Sequence, residues 1–198
     1  MIFYVRHGET LDNIKKISTG RNDIPLTQKG ILQAKATAEK LKDIKFDVCF
    51  CSPLKRAKQT LKEILKYHEG LEVNIDNRLI ERGYGEISGL KYNDPLVDPY
   101  EYKNRYNLLH KNKIKGIESV NELCARVDSF LEFLNENHSA KNILIVAHGG
   151  VGRAVCRYFS ANLQIDDLCS LKQIKNSDFK IFDNSIKKNN NQFVTFKR

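Results

Sequence analysis

Two histidines, two arginines and a glutamate stand at the ends of short apolar runs. One run ends in Arg6-His7-Gly8-Glu9-Thr10, a second in Ser52-Pro53-Leu54-Lys55-Arg56, and a third in His148-Gly149-Gly150. Another leads into Arg78-Leu79-Ile80-Glu81-Arg82. These residue types suit work on a phosphate. Arginine presents a planar fork of donors that matches phosphate oxygens. A neutral imidazole is a nucleophile near neutral pH, because its unperturbed pKa is about 6.5. Gly8 lets backbone N–H groups come close to an anion. Gly149 and Gly150 open a helical stretch, where unpaired N–H groups and the helix dipole favour negative charge. A carboxylic acid such as Glu81 can protonate a departing alkoxide. Together they describe a phosphoryl-transfer pocket with a transiently phosphorylated histidine. Arginine supplies its positive charge, so it needs no metal motif and no cofactor.

Each piece also has an ordinary reading. An Arg-His pair at a strand end is more often a surface pair, and His-Gly-Gly can be a tight turn. Arg56 can be a solvated helix residue, and Glu81 can pair with Arg82. What favours the pocket is that all of them end elements that one sheet would bring together. In open α/β sheets, ligands bind beyond the carboxyl ends of the strands.

The elements themselves are legible. Ile2–Arg6, Phe46–Cys51, Glu72–Ile75 and Asn142–Ala147 read as buried strands. Helical spacing runs through Thr27–Ile44 and Glu118–His138, and Gly149 and Gly150 open another helix through Phe159. Ser52 is the expected N-cap, with Pro53 at the first helical position, of a helix reaching about His68. Leu171–Asn176, Phe179–Asp183 and Gln192–Phe196 read as short edge strands. The alternation predicts an α/β fold: a three-layer α/β/α sandwich around a mostly parallel sheet. The stretch Asp76–Gly116 holds three glycines before its end, two prolines, and Tyr84, Tyr92, Tyr100, Tyr102 and Tyr106. It reads as a long loop and a short helical cap over residues 84–116, and such a loop usually shapes a site. One domain over 1–198 is expected.

The 198 residues carry 33 Lys and Arg against 24 Asp and Glu, a net charge of +9, with a pI near 9.3. A basic balance points to anionic partners without choosing among them, and lysines scattered over solvated helix faces account for most of it. No basic run with interleaved aromatics marks a nucleic-acid surface. No apolar run approaches the ~18 residues of a membrane span, so no membrane partner is expected. The first residues lack a secretory leader's basic start and long apolar core, which predicts a cytoplasmic protein. Five cysteines form no disulfide framework. Cys49 and Cys51 alternate onto one face of a strand and read as core.

Arg6-His7-Gly8-Glu9-Thr10 resembles the signature of the histidine phosphatase superfamily, also called phosphoglycerate mutase-like. The similarity continues through Asn13, Thr19-Gly20, Asp23 to Gly30, Ser52 to Thr60, Leu79 to Glu86 with Gly89, Glu118-Ser119 and Val146 to Gly150, in family order. The resemblance implies that His7 is the phosphorylated nucleophile and that Arg6, Arg56 and His148 bind the phosphoryl group. It implies that Glu81 is the proton donor, and later the base for water. Asn13, Thr19, Gly20 and Gly149 would add hydrogen bonds to phosphate oxygens, and Arg82 and Tyr84 would face the rest of a small phosphorylated substrate.

The superfamily contains both hydrolases and mutases. Glu81-Arg82 followed by Tyr84-Gly85 resembles the bisphosphoglycerate-dependent mutases. Those mutases carry a longer insertion with a paired arginine, a histidine where this chain has Gly83, and usually an asparagine where it has Gly150. Here Arg105 stands alone. The departures favour a phosphomonoesterase. A mutase must retain its bisphosphorylated intermediate and exclude water, which takes more anion clamps and a closed cap. A polyanion-binding module that lost the chemistry is a third reading, supported by the charge alone.

Overall fold

The computed structural model describes residues 1–97, 115–160, 163, 168 and 171–183. They contain strands β1 (Ile2–Arg6), β2 (Val48–Cys51), β3 (Val73–Ile75), β4 (Ile143–Ala147) and β5 (Phe179–Phe182). The helices are α1 (Leu11–Lys15), α2 (Gln28–Leu41), α3 (Lys55–Ile64), α4 (Val120–His138) and α5 (Gly149–Tyr158). The strands make one five-stranded sheet in the order β3-β2-β4-β1-β5. All neighbours are parallel except β1 and β5, which run antiparallel.

Period-two alternation sorts each central strand between two cores. Ile2, Tyr4, Val48, Phe50, Ile143 and Ile145 face α4 and α5, whose Leu123, Val127, Phe130, Leu134, Val151 and Val155 are buried against them. Phe3, Val5, Cys49, Cys51, Leu144 and Val146 face Ala38 and Leu41 of α2 and Ala57, Leu61 and Ile64 of α3. Each wholly buried Leu, Ile, Val or Phe contributes roughly 1.5–3 kcal/mol, so the two apolar layers hold the helices on opposite faces. The α/β sandwich expected from the sequence is the observed fold.

The helix starts follow their caps. Thr27 caps α2 through Gly30 N–H, and Ser119 with Glu122 forms a capping box on α4. Two expectations are corrected. First, Ser52 does not cap α3: Leu54 is the cap residue and the helix begins at Lys55. Ser52 instead continues β2, giving its N–H to Val146 C=O at 3.0 Å. Second, residues 171–176 form no strand. They are an irregular approach to β5 whose side chains and carbonyls bond the end of β1. The body of the expected cap, with Tyr100, Tyr102, Arg105 and Tyr106, lies outside the described residues. So does the strand expected at Gln192–Phe196.

Register places the site. Arg6 pairs Ala147, and both Val5 and Cys51 pair Val146. His7, Ser52 and His148 therefore leave three adjacent parallel strands at one level. Antiparallel β5 starts at that edge, because Phe179 pairs Val5.

Candidate active site

His7 is 4% exposed. Its N–H donates to Ala147 C=O at 3.0 Å, continuing the ladder one residue past β1. Its ring Nδ1 lies 2.7 Å from Gly8 C=O. A carbonyl only accepts, so Nδ1 carries the proton and Nε2 keeps its lone pair. Burial, then the charges of Arg56 and Arg6, hold the ring pKa well below its ordinary value. The ring is thus a neutral base with a free Nε2.

His148 lies beside it, the two ring centroids 5.2 Å apart. His148 is wholly buried. Its Nδ1 accepts from Arg56 Nε at 3.2 Å, and its Nε2 faces Ser52 Oγ at 2.7 Å. The guanidinium can only donate, so this ring carries its proton on Nε2, the tautomer opposite to that of His7. Burial, then Arg56 and His7, push its pKa well below the usual value. Tyr4, from the middle of β1, fixes the backbone: its hydroxyl donates to His148 C=O at 2.6 Å and accepts from His148 N–H at 3.0 Å.

Arg56 is 1% exposed. Besides His148, it donates from Nη1 to Asn22 C=O and from Nη2 to Gly20 C=O, each at 2.8 Å. It thereby ties the turn over residues 19–22 to the site, and Thr19 C=O closes that turn on Asn22 N–H. Gly20 has φ +53°, and a Cβ there would lie 3.0 Å from the Tyr84 ring. A side chain at position 20 would strain the backbone and displace Tyr84. Arg6 donates from Nη1 to Ile174 C=O at 2.8 Å and Gln173 Oε1 at 3.2 Å, while its buried Nε has no acceptor. Burial lowers the pKa of both guanidinium groups and the Glu81 charge works against it. An unpaired buried donor on the residue before His7 favours an incoming anion.

Glu81 reaches the site from the loop after β3. Its carboxylate accepts from Gly150 N–H at 3.2 Å and from Arg82 N–H at 2.9 Å. The acceptor already at the start of α5 is therefore this side chain. A Cβ at position 150 would sit 2.5 Å from Glu81 Oε1, and one at Gly149 would sit 2.9 Å from Gln173 Nε2. Bare backbone at both positions lets Glu81 and Gln173 close on the helix start. Gly8 has a different task from the one its sequence suggested. Its N–H goes to Thr60 Oγ1 at 3.0 Å, and a Cβ there would lie 2.4 Å from Gly30 C=O. Gly8 serves a backbone crossing with the start of α2.

Arg6, His7, Arg56, Glu81, His148 and Gly149 thus converge at one sheet edge, with Asn13, Thr19 and Gly20 around them. Asn13 Oδ1 accepts from Thr10 N–H and Asn176 Nδ2, each at 3.1 Å. Tyr84 covers Gly20. Arg82 is 1% exposed beneath Tyr84, its Cζ 6.0 Å from the ring centroid and its Nε on Glu118 C=O. Glu118 also holds Arg126 at 2.6 Å, Arg21 at 3.3 Å and Gly83 N–H at 3.1 Å. Burial alone would raise its carboxyl, but these partners bring it below the usual range. Among the described residues, no group of three His, Cys, Asp or Glu side chains is arranged to hold a metal ion. No described helix is long and apolar enough to cross a membrane. Ser52, Tyr4, Gln173 and Asn176 escaped the sequence reading. Ser52 looked like a helix cap, and the others carry no local pattern.

The profile of the histidine phosphatase superfamily (branch 1) matches residues 2–195. An uncharacterized phosphatase PhoE of Bacillus subtilis is 38% identical over 151 residues, 76% of this chain and 72% of that protein. A 2,3-bisphosphoglycerate-dependent phosphoglycerate mutase of Gloeobacter violaceus is 33% identical over 166 residues, 78% of this chain and 73% of its own. A mycobacterial glucosyl-3-phosphoglycerate phosphatase superposes with a TM-score of 0.78 at 25% identity, covering 90% of this chain and 87% of that one. A putative alpha-ribazole-5'-P phosphatase of Escherichia coli gives 0.75 at 27% identity, over 90% and 87%. The chain belongs to the histidine phosphatase superfamily, branch 1.

Proposed function

We propose that this protein hydrolyses small phosphate monoesters, such as sugar phosphates or phosphoglycerate-like esters, through a phosphohistidine at His7. The observation that carries this reading is the tautomer. With Nδ1–H on Gly8 C=O, the Nε2 lone pair of a neutral ring is left to attack phosphorus. Arg6 and Arg56 neutralise the transferring group, and His148 helps to orient it. The P–O bond to the leaving group breaks as the Nε2–P bond forms, and Glu81 gives its proton to the departing oxygen. Water then attacks phosphorus, Glu81 takes its proton, and phosphate leaves with His7 restored.

Release to water is favoured over return to a second hydroxyl. Gly150 offers no side chain for retaining an intermediate, and Glu81 fills the space beside it. The mutases among the relatives support the second reading, phosphate shuffling on phosphoglycerates. Two assays test the proposal. Purified protein is screened against phosphorylated metabolites without added metal, and rapid-quench labelling is done with a radioactive ester. We expect an acid-labile label on His7 and none in His7→Ala. Turnover without that label overturns the mechanism. Rapid conversion of 3-phosphoglycerate to 2-phosphoglycerate, given a trace of 2,3-bisphosphoglycerate, overturns the hydrolase assignment.

A further inference from the structure

The segment entering β5 reaches the nucleophile. Asn176 Nδ2 donates one N–H to Asn13 Oδ1 at 3.1 Å and shares the other between the neighbouring carbonyls of His7, at 3.1 Å, and Gly8, at 3.3 Å. The Gly8 carbonyl is the same one that takes His7 Nδ1–H. Two donors thus converge on it, His7 Nδ1–H and the shared Asn176 N–H, and they restrain the peptide plane against which the imidazole is set. The Asn13 oxygen is committed to Thr10 N–H and Asn176, so the edge of Asn13 left for a ligand is its NH2 group. The next residue locks the arrangement. Ser177 N–H donates to both Arg6 C=O and His7 C=O, at 3.0 and 3.1 Å. Ser177 has φ +52°, a left-handed conformation that a serine keeps only where its surroundings over-determine it. Thr37 Oγ1 bonds its carbonyl from the other side.

We propose that Asn176 is a positioning residue for phosphoryl transfer: its carboxamide holds the Gly8 carbonyl that selects the Nδ1–H tautomer of His7, and turns the NH2 edge of Asn13 toward the reacting phosphate. This rests on the reading of His7 as the nucleophile. Asn176→Asp keeps the shape and removes both donors. Asn176→Ser keeps one shorter donor.

The experiment pairs 15N NMR of the His7 ring with rapid-quench labelling, on the wild-type protein and both variants, with melting temperatures as the folding control. We expect a single Nδ1–H tautomer in the wild type and an Nε2–H population in Asn176→Asp. The rate of His7 phosphorylation in that variant should fall about 10²-fold with KM little changed, and Asn176→Ser should recover part of it. A merely structural asparagine would lower the melting temperature and leave tautomer and labelling rate as they were, which overturns the proposal. So does an Nε2–H tautomer in the wild type, whether or not the variants fold. The spectra need no substrate. A wild type with the expected tautomer but no label on His7 therefore overturns the functional reading separately.

Discussion

Arg56 Nε lies 3.2 Å from His148 Nδ1, and that contact assigns the proton on the second histidine. The same guanidinium holds Gly20 and Asn22, so one buried side chain sets a ring tautomer and a loop together. A lysine carries the charge but not the fork. Arg56→Lys should therefore lower kcat/KM by about 10²–10³-fold, the usual cost of one preorganised donor at a developing oxyanion. Steady-state kinetics on an aryl phosphate measure it. A loss under threefold means that the charge alone suffices.

Stability should depend on pH through the two buried imidazoles. Both rings have folded pKa values well below 6.5, mainly because burial penalises their charged forms. The unfolded chain protonates them near pH 6.5, so below that pH it binds more protons than the folded chain. Their contribution is flat above about pH 6.5 and grows unfavourable as pH falls, by up to ~1.4 kcal/mol per pH unit for each ring. Urea unfolding between pH 7.5 and 5 should show the decline, and His148→Phe should reduce its slope.

Glu81 is expected to matter in proportion to the leaving group's need for a proton. Glu81→Gln keeps an acceptor for Gly150 N–H and Arg82 N–H but cannot give up a proton. It should slow hydrolysis of an alkyl phosphate by about 10²–10⁴-fold. An activated aryl ester, whose leaving group departs without protonation, should be slowed far less. Equal losses on the two esters assign Glu81 another role.

Tyr4→Phe removes a hydroxyl that bridges both backbone groups of His148. The carbonyl keeps Gly152 N–H at 2.9 Å, whereas the amide loses its acceptor inside the core. The cost should be about 1–3 kcal/mol, the penalty of a buried unsatisfied donor. Chemical denaturation reads it, and a change under 0.5 kcal/mol places a water there in the variant.

Much of this was legible from the sequence because strand ends announce themselves. Short apolar runs followed by Arg-His-Gly or His-Gly-Gly fix both the element and the residue that leaves it. The resemblance then supplied a role for Asn13, which periodicity alone does not place. What stayed hidden depends on pairing across the chain. Gln173 and Asn176 sit in an ordinary polar run, and only the antiparallel register of Phe179 on Val5 brings that run to the first strand. Ser52 was visible but misassigned. A serine before a proline looks like a helix start, and only the β2–β4 register shows it beside His148. Gly8 was correctly singled out for the wrong reason, since its constraint comes from Gly30, more than twenty residues away.

The placement of β5 also has a consequence for biosynthesis. His7 precedes the groups that seat it by more than 160 residues, for its strand lies between β4 and β5 and those groups come from residues 173–177. A nascent chain displays His7 long before it can set it. The seat of His7 is therefore complete only once residues 173–177 have been made, and a chain cut short before residue 173 carries the signature histidine without it.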